Sequence, residues 1–165
     1  LPNAGKSSLL RSISAAKPKV ADYPFTTLEP KLGVIRIGDE EAVVADIPGL
    51  ISGANSGSGL GIQFLRHIER CKSIIHMIDI SSLDPILDYN IIINELDGFD
   101  KSINKKEKVI ILNKSDLMNK NDINYISSKF RDLVNCPLYI ISTITKSGID
   151  DLKSKIVQVG KNNES

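Results

Sequence analysis

Three short apolar runs, Ser73–Ile80, Val109–Leu112 and Leu138–Ile141, do most to limit what this chain can become. By length and β-branched content each reads as a buried strand. A longer stretch with helical spacing follows each one, at about Ile86–Leu96, Ile123–Val134 and Ile149–Val159. Strands alternating with helices predict an α/β fold, a three-layer sandwich around a mostly parallel sheet. In such sheets ligands bind beyond the carboxyl ends of the strands. Asp46, Asn113 and Ser142 each stand at such an end.

The first half of the chain adds detail. Ser7 to about Ala16 carries Leu9, Leu10 and Ile13 at helical spacing, and Pro18 is expected to end that helix. Lys17–Pro30 holds three prolines and no clean period, so it reads as a long ordered loop. The runs 32–37 and 42–47 flank Gly38-Asp39-Glu40-Glu41 and predict an antiparallel edge hairpin. Gly53, Gly57, Gly59 and Gly61 mark a mobile loop, and Ile62–Cys71 reads as a helix. Lys101–Lys108 and Asn119–Asn124 are rich in Lys and Asn and read as solvated surface.

The 165 residues suit one domain, expected over 1–159, with 160–165 as a tail or linker. A net charge of +1 offers no electrostatic case for nucleic acid or membrane binding. No apolar run approaches the roughly 20 residues of a membrane span. Cys71 and Cys136 lie far apart without a metal-ligand pattern, as expected for reduced thiols in a cytoplasmic protein. His67 reads as a surface or packing histidine and His76 as a hydrogen-bonded core histidine, neither as a base.

The chemistry begins at Leu1-Pro2-Asn3-Ala4-Gly5-Lys6-Ser7, which fits the last seven places of the phosphate-binding pattern G-x-x-x-x-G-K-[ST]. Its first glycine and the strand feeding it would precede Leu1. That strand would be central in the sheet, so the chain as written is expected to be poorly stable and to bind nucleotide weakly. Backbone N–H groups of such a loop form an anion site, backed by the positive end of the following helix. Lys6 would reach the β- and γ-phosphates, and the Ser7 hydroxyl would enter a Mg2+ shell.

Asn113-Lys114-Ser115-Asp116 follows the strand Val109–Leu112. The Asp116 carboxylate can accept from the N1–H and N2–H₂ of guanine, whereas adenine presents a mismatched edge. Asn113 and Lys114 would tie this loop to the phosphate loop and cover the base. Asp46-Ile47-Pro48-Gly49 pairs a strand-end carboxylate, suited to hold Mg2+ through water, with a Gly49 N–H suited to a γ-phosphate. Thr27, in Thr26-Thr27, would complete the metal shell. Ser142-Thr143-Ile144 could bring a backbone N–H to guanine O6.

This motif order resembles the translation-factor-like class of P-loop GTPases, with a Ras-like fold. Ile13–Leu28 (ISAAKPKVADYPFTTL), Asp46–Ile51 (DIPGLI) and Gly59–Arg70 (GLGIQFLRHIER) are similar to the GTPase domain of the bacterial Obg family. The resemblance spans nearly the whole chain. It implies a GTP-hydrolysing switch, with GTP and GDP as its ligands, linked to assembly of the large ribosomal subunit and to growth or stress control. A monomer is expected. The resemblance places nucleotide contacts on Leu1, Pro2, Asn3, Ala4, Gly5, Lys6 and Ser7, on Phe25, Thr26, Thr27, Leu28 and Glu29, and on Asp46, Ile47, Pro48 and Gly49. It continues them on Asn113, Lys114, Ser115 and Asp116 and on Ser142, Thr143 and Ile144. Ser7 and Thr27 would be the Mg2+ ligands, and Lys6, Thr27 and Asn3 the catalytic set. Thr143 stands where the family usually has alanine.

Leu50 occupies the place where Ras-like switches carry a water-orienting glutamine, so slow intrinsic hydrolysis is expected. Related GTPases with an asparagine at the place of Asn3 use it to hold potassium, which makes K+ a candidate cofactor. Leu50 also keeps open a non-catalytic, guanine-nucleotide-dependent interaction module. An ATP-using relative is disfavoured by Asp116.

Overall fold

The computed structural model describes residues 4–20, 31–46, 71–99 and 106–161. Their elements run α1 (Lys6–Ile13), β1 (Lys19–Val20), β2 (Lys31–Ile37), β3 (Glu40–Asp46), β4 (Ser73–Asp79) and α2 (Pro85–Phe99). Then come β5 (Glu107–Asn113), a 3-10 turn (Ser115–Leu117), α3 (Lys120–Leu133), β6 (Leu138–Ile140) and α4 (Ile149–Lys161). The strands form two sheets, an antiparallel β1-β2-β3 and a parallel β4-β5-β6. The expected mostly parallel sheet is thus divided among the described residues into two sheets of three strands. The expected helix at 62–71 lies outside the described residues except for Cys71, which is not helical.

The parallel sheet is buried on both faces, which is why its strands read as continuous apolar runs. Val109 and Ile111 of β5 point into one cluster with Met77, Ile141, Leu9 and Ile13 of α1, and Leu152 and Ile156 of α4. Ile35 of β2 joins the same cluster, so this core spans both sheets. The alternate residues Ile110 and Leu112 meet Ile78, Ile80 and Phe130, with Ile86 and Tyr89 of α2 and Ile123 and Ile126 of α3 packed against them. Helices on both faces make three layers.

Local chemistry explains where the boundaries differ from the sequence reading. α1 stops at Ile13 rather than near Ala16, because the Ser14 hydroxyl and N–H both donate to the Leu10 carbonyl, at 2.6 and 3.1 Å. The Ala15 N–H then bonds Val34 O at 2.7 Å and ties the chain to β2. This close approach requires Gly33, where a Cβ would lie 2.0 Å from Ser14 Oγ and 2.8 Å from Leu10. Within the expected loop 17–30, Lys19–Val20 pairs antiparallel with β2 at Leu32 and Lys31. The β2–β3 register joins Ile37 to Glu40 across Gly38-Asp39, with Gly38 at φ 58° as a tight hairpin turn asks.

α3 begins three residues before Ile123. Asn119 accepts from the Asp122 N–H at 2.9 Å and donates its amide to the Asp122 carboxylate, a reciprocal N-cap within what reads as mere polar surface. α2 is started the same way by Asp84, which accepts from the Leu87 N–H at 2.9 Å, with Pro85 at the first helical position. α4 continues through Lys161, two residues into the expected tail, because Val159 is still buried in the core. Among the described residues no helix is long and apolar enough to cross a membrane.

Candidate functional site

The carboxyl ends of β3 and β5 bring Asp46 and Asn113 to the start of α1, while Asp79 ends the neighbouring β4 and Ser142 lies just past β6. Gly5 precedes that helix at φ 98°, a left-handed conformation that glycine tolerates. Lys6 and Ser7 open the helix and are exposed. The Ser7 hydroxyl donates to Asp46 Oδ2 at 3.2 Å, although 39 residues separate them. A serine hydroxyl whose hydrogen goes to a carboxylate keeps its oxygen lone pairs free for a hard cation, so the pair fits a Mg2+ ion bound by Ser7 and reached from Asp46 through water.

Asn113 is the structural knot. Its side chain is 1% exposed, donates to Ala4 O at 2.9 Å and accepts from the Thr143 N–H at 3.1 Å. It thereby fastens the end of β5 to the phosphate-loop residue and to the loop after β6. A Cβ on Gly5 would lie 2.6 Å from Asn113 Nδ2, so the glycine serves this contact as well as the turn.

Asp116 stands in the 3-10 turn after β5, and its carboxylate accepts from the Ser142 hydroxyl at 2.5 Å. Ser142 Oγ accepts in turn from the Thr145 N–H at 3.0 Å. One carboxylate oxygen is therefore held by a hydroxyl that is itself fixed to backbone, which orients the group before any ligand arrives. Ser115 N–H bonds Ile141 O at 3.1 Å and locks the two loops together. Ile144 is 75% exposed beside them.

Lys114 does something the sequence did not reveal. Its ammonium pairs with Asp79 Oδ2, because the parallel register sets Asp79 beside Asn113. Asp79 also accepts from the Ser81 N–H and hydroxyl, at 2.9 and 2.6 Å. Partial burial pushes the Asp79 carboxyl up, but Lys114 and Ser81 outweigh it and hold it below the usual carboxylate range. The signal was present: Asp79 ends a buried strand as Asp46 does.

His76 is buried in β4 and stacks on Tyr89, ring centroids 5.2 Å apart. Neither ring nitrogen has a hydrogen-bond partner among the described residues, contrary to the expected hydrogen-bonded histidine. Burial lowers its pKa to about 4, so it is a neutral packing group. Burial raises the thiols of Cys71 and Cys136 above their ordinary values. Of the sequence-derived site residues, Leu1, Pro2, Asn3, Phe25, Thr26, Thr27, Leu28, Glu29, Ile47, Pro48 and Gly49 lie outside the described residues, as does Leu50.

Known proteins share both sequence and shape with this arrangement. GTPase Obg of Rickettsia bellii is 49% identical over 98% of this chain, and GTPase Obg of Prochlorococcus marinus (strain NATL2A) is 50% identical over 94%. The expected resemblance to Obg is thus borne out. The chain spans about half the length of these curated relatives, 49% and 48% of them. The G domain of the T. maritima FeoB iron transporter superposes with a TM-score of 0.72 at 22% identity, covering 97% of this chain and 94% of that one. A nucleolar GTP-binding protein 1 structure from Plasmodium falciparum gives 0.69 at 23% identity, covering 99% and 84%. At these identities the likeness speaks for the fold, an α/β G domain. A family model described as 50S ribosome-binding GTPase matches residues 1–114. The chain belongs to the family of 50S ribosome-binding GTPases.

Proposed function

We propose that this chain is the guanine-nucleotide domain of a GTP-hydrolysing switch that acts on the large ribosomal subunit. The observation that carries the reading is the fixed carboxylate of Asp116, held by Ser142 beside an Asn113 that grips Ala4. Base recognition and phosphate binding are joined by one buried side chain.

The roles follow from the chemistry. Asp116 accepts from guanine N1–H and N2–H₂, and an adenine edge would leave that acceptor unpaired, at about 1–3 kcal/mol. The Thr143 N–H serves Asn113. That makes the Ile144 N–H the donor of this loop for guanine O6. The loop ending in Gly5 and the first turn of α1 hold phosphate oxygens, with Lys6 adding positive charge. Ser7, with Thr27, would hold Mg2+, and Asp46 would hold it through water; when bound, the ion neutralises phosphate charge. Asn3 would place a potassium ion that offsets developing charge as an arginine finger does, where Leu50 cannot orient the attacking water. Ribosome binding rests on the family description and on the Obg relatives.

Steady-state phosphate release from GTP by the intact protein tests the enzyme. Turnover above background, faster in potassium than in sodium, is expected. Tight GDP binding without turnover would instead favour a non-catalytic interaction module, the reading that Leu50 supports. Co-sedimentation with large ribosomal subunits, stronger with a non-hydrolysable GTP analogue than with GDP, tests the partner.

A further inference from the structure

Among the described residues, two that are not glycine take a positive φ, and both are lysines in the loops around Asp116: Lys114 at 68° and Lys146 at 67°. The left-handed region is unfavourable for a residue with a Cβ and persists only where its surroundings hold it. Each lysine is held by its own ammonium. Lys114 sits on Asp79, and Lys146 donates to Ser12 Oγ at 2.7 Å across 134 residues of sequence.

Ser12 belongs to the last turn of α1. Its hydroxyl accepts from Lys146 and gives its single hydrogen to Ser8 O at 2.8 Å, so both of its functions are in use. The bridge therefore runs from the loop after β6 into the helix that opens with Lys6 and Ser7. At the loop end, Ser147 O accepts from the Ser142 N–H at 3.1 Å, and Ser142 is the residue whose hydroxyl holds Asp116. Gly148, at φ 72°, closes the turn; a Cβ there would lie 2.5 Å from Ile140 O, so the turn is pinned on that side.

We propose that Lys146 is a positioning residue of the base pocket. Its ammonium, seated on Ser12, fixes the 142–148 turn against α1, so that Ser142 keeps Asp116 aimed while the phosphate helix stays in register with it. The inference rests on the guanine reading above. The bond is at the surface, so its effect lies in base selectivity more than in stability.

GDP and IDP differ only in the exocyclic N2 amino group, which GDP alone offers to Asp116. In the intact protein, Lys146→Met and Ser12→Ala should each lower the GDP-to-IDP affinity ratio by roughly threefold to tenfold. The double variant should go no lower than either single one, since both remove the same bond. Lys146→Arg, which can still reach Ser12, should restore the ratio. Lys146→Gly relieves the strained φ but removes the ammonium, so a lowered ratio without a lowered Tm is expected. An unchanged ratio in Lys146→Met, Ser12→Ala or Lys146→Gly, or additive losses in the double variant, would overturn the proposal. The parent protein separates the two levels: no preference for GDP over ADP refutes the guanine site itself. A clear preference that the variants leave intact refutes only the role of Lys146.

Discussion

Replacing Asn113 with alanine removes the one side chain that joins three parts of the site. The buried Ala4 carbonyl loses its donor and the Thr143 N–H loses its acceptor. Each orphaned buried group costs about 1–3 kcal/mol, so the variant should lose about 2–6 kcal/mol before any ligand is considered. For a chain of this size that corresponds to a fall in Tm of roughly 5–15 °C. Thermal and urea unfolding of the nucleotide-free protein measure it. Asn113→Asp sharpens the test. The carboxylate still accepts from Thr143, but it sets a charged oxygen against the Ala4 carbonyl where an N–H had been. It should therefore cost at least as much as alanine. A loss below about 1 kcal/mol for Asn113→Ala, or a clearly milder effect for Asn113→Asp, would refute the reasoning.

Other consequences are open to the same methods. Gly5→Ala combines a left-handed φ with a Cβ 2.6 Å from Asn113 Nδ2, so it should lower Tm and weaken GDP binding at least tenfold by titration, roughly 1.4 kcal/mol. His76 has a folded pKa of about 4 against an ordinary 6.5, so the unfolded chain takes up its proton first as pH falls. The stability it confers is complete above pH 6.5 and lost between there and about 4, of the order of 3 kcal/mol in all. His76→Phe keeps the stack on Tyr89 and should flatten that slope in urea unfolding across pH 4–7. Asp79 works with the same sign in a more acidic range. Its depressed carboxyl contributes stability above the ordinary carboxylate pKa and loses it as pH falls through the folded value. Asp79→Asn should remove that acid-side slope and loosen Lys114, which weaker GDP binding at neutral pH would report.

Much of this fold was legible because burial on both faces leaves a plain mark. A strand such as β5, with Val109 and Ile111 in one core and Ile110 and Leu112 in the other, has no polar position to disguise it. The rule that ligands gather at strand ends then named Asp46, Asn113 and Ser142 without further help. What stayed hidden depends on partners distant in sequence. Asp79 obeys the same rule, yet its pairing with Lys114 follows from the parallel register, which no local pattern encodes. Ser142-Thr143-Ile144 reads in sequence only as the source of a backbone N–H, and only the packed loops show the Ser142 hydroxyl aimed at Asp116. β1 is two residues long and shows no period of its own; pairing with β2 makes it a strand. The early end of α1 has a local cause in Ser14, but the Gly33 surface that accepts it lies across the fold.

Base selectivity tests the central claim most directly. Labelled GDP bound to the intact protein should be displaced by GTP and resist ATP by at least about 100-fold, since an adenine edge cannot satisfy Asp116. In Asp116→Ala that gap should collapse toward parity, with phosphate affinity retained. ATP competing as well as GTP against the parent protein, or an Asp116→Ala variant with selectivity intact, would contradict the account.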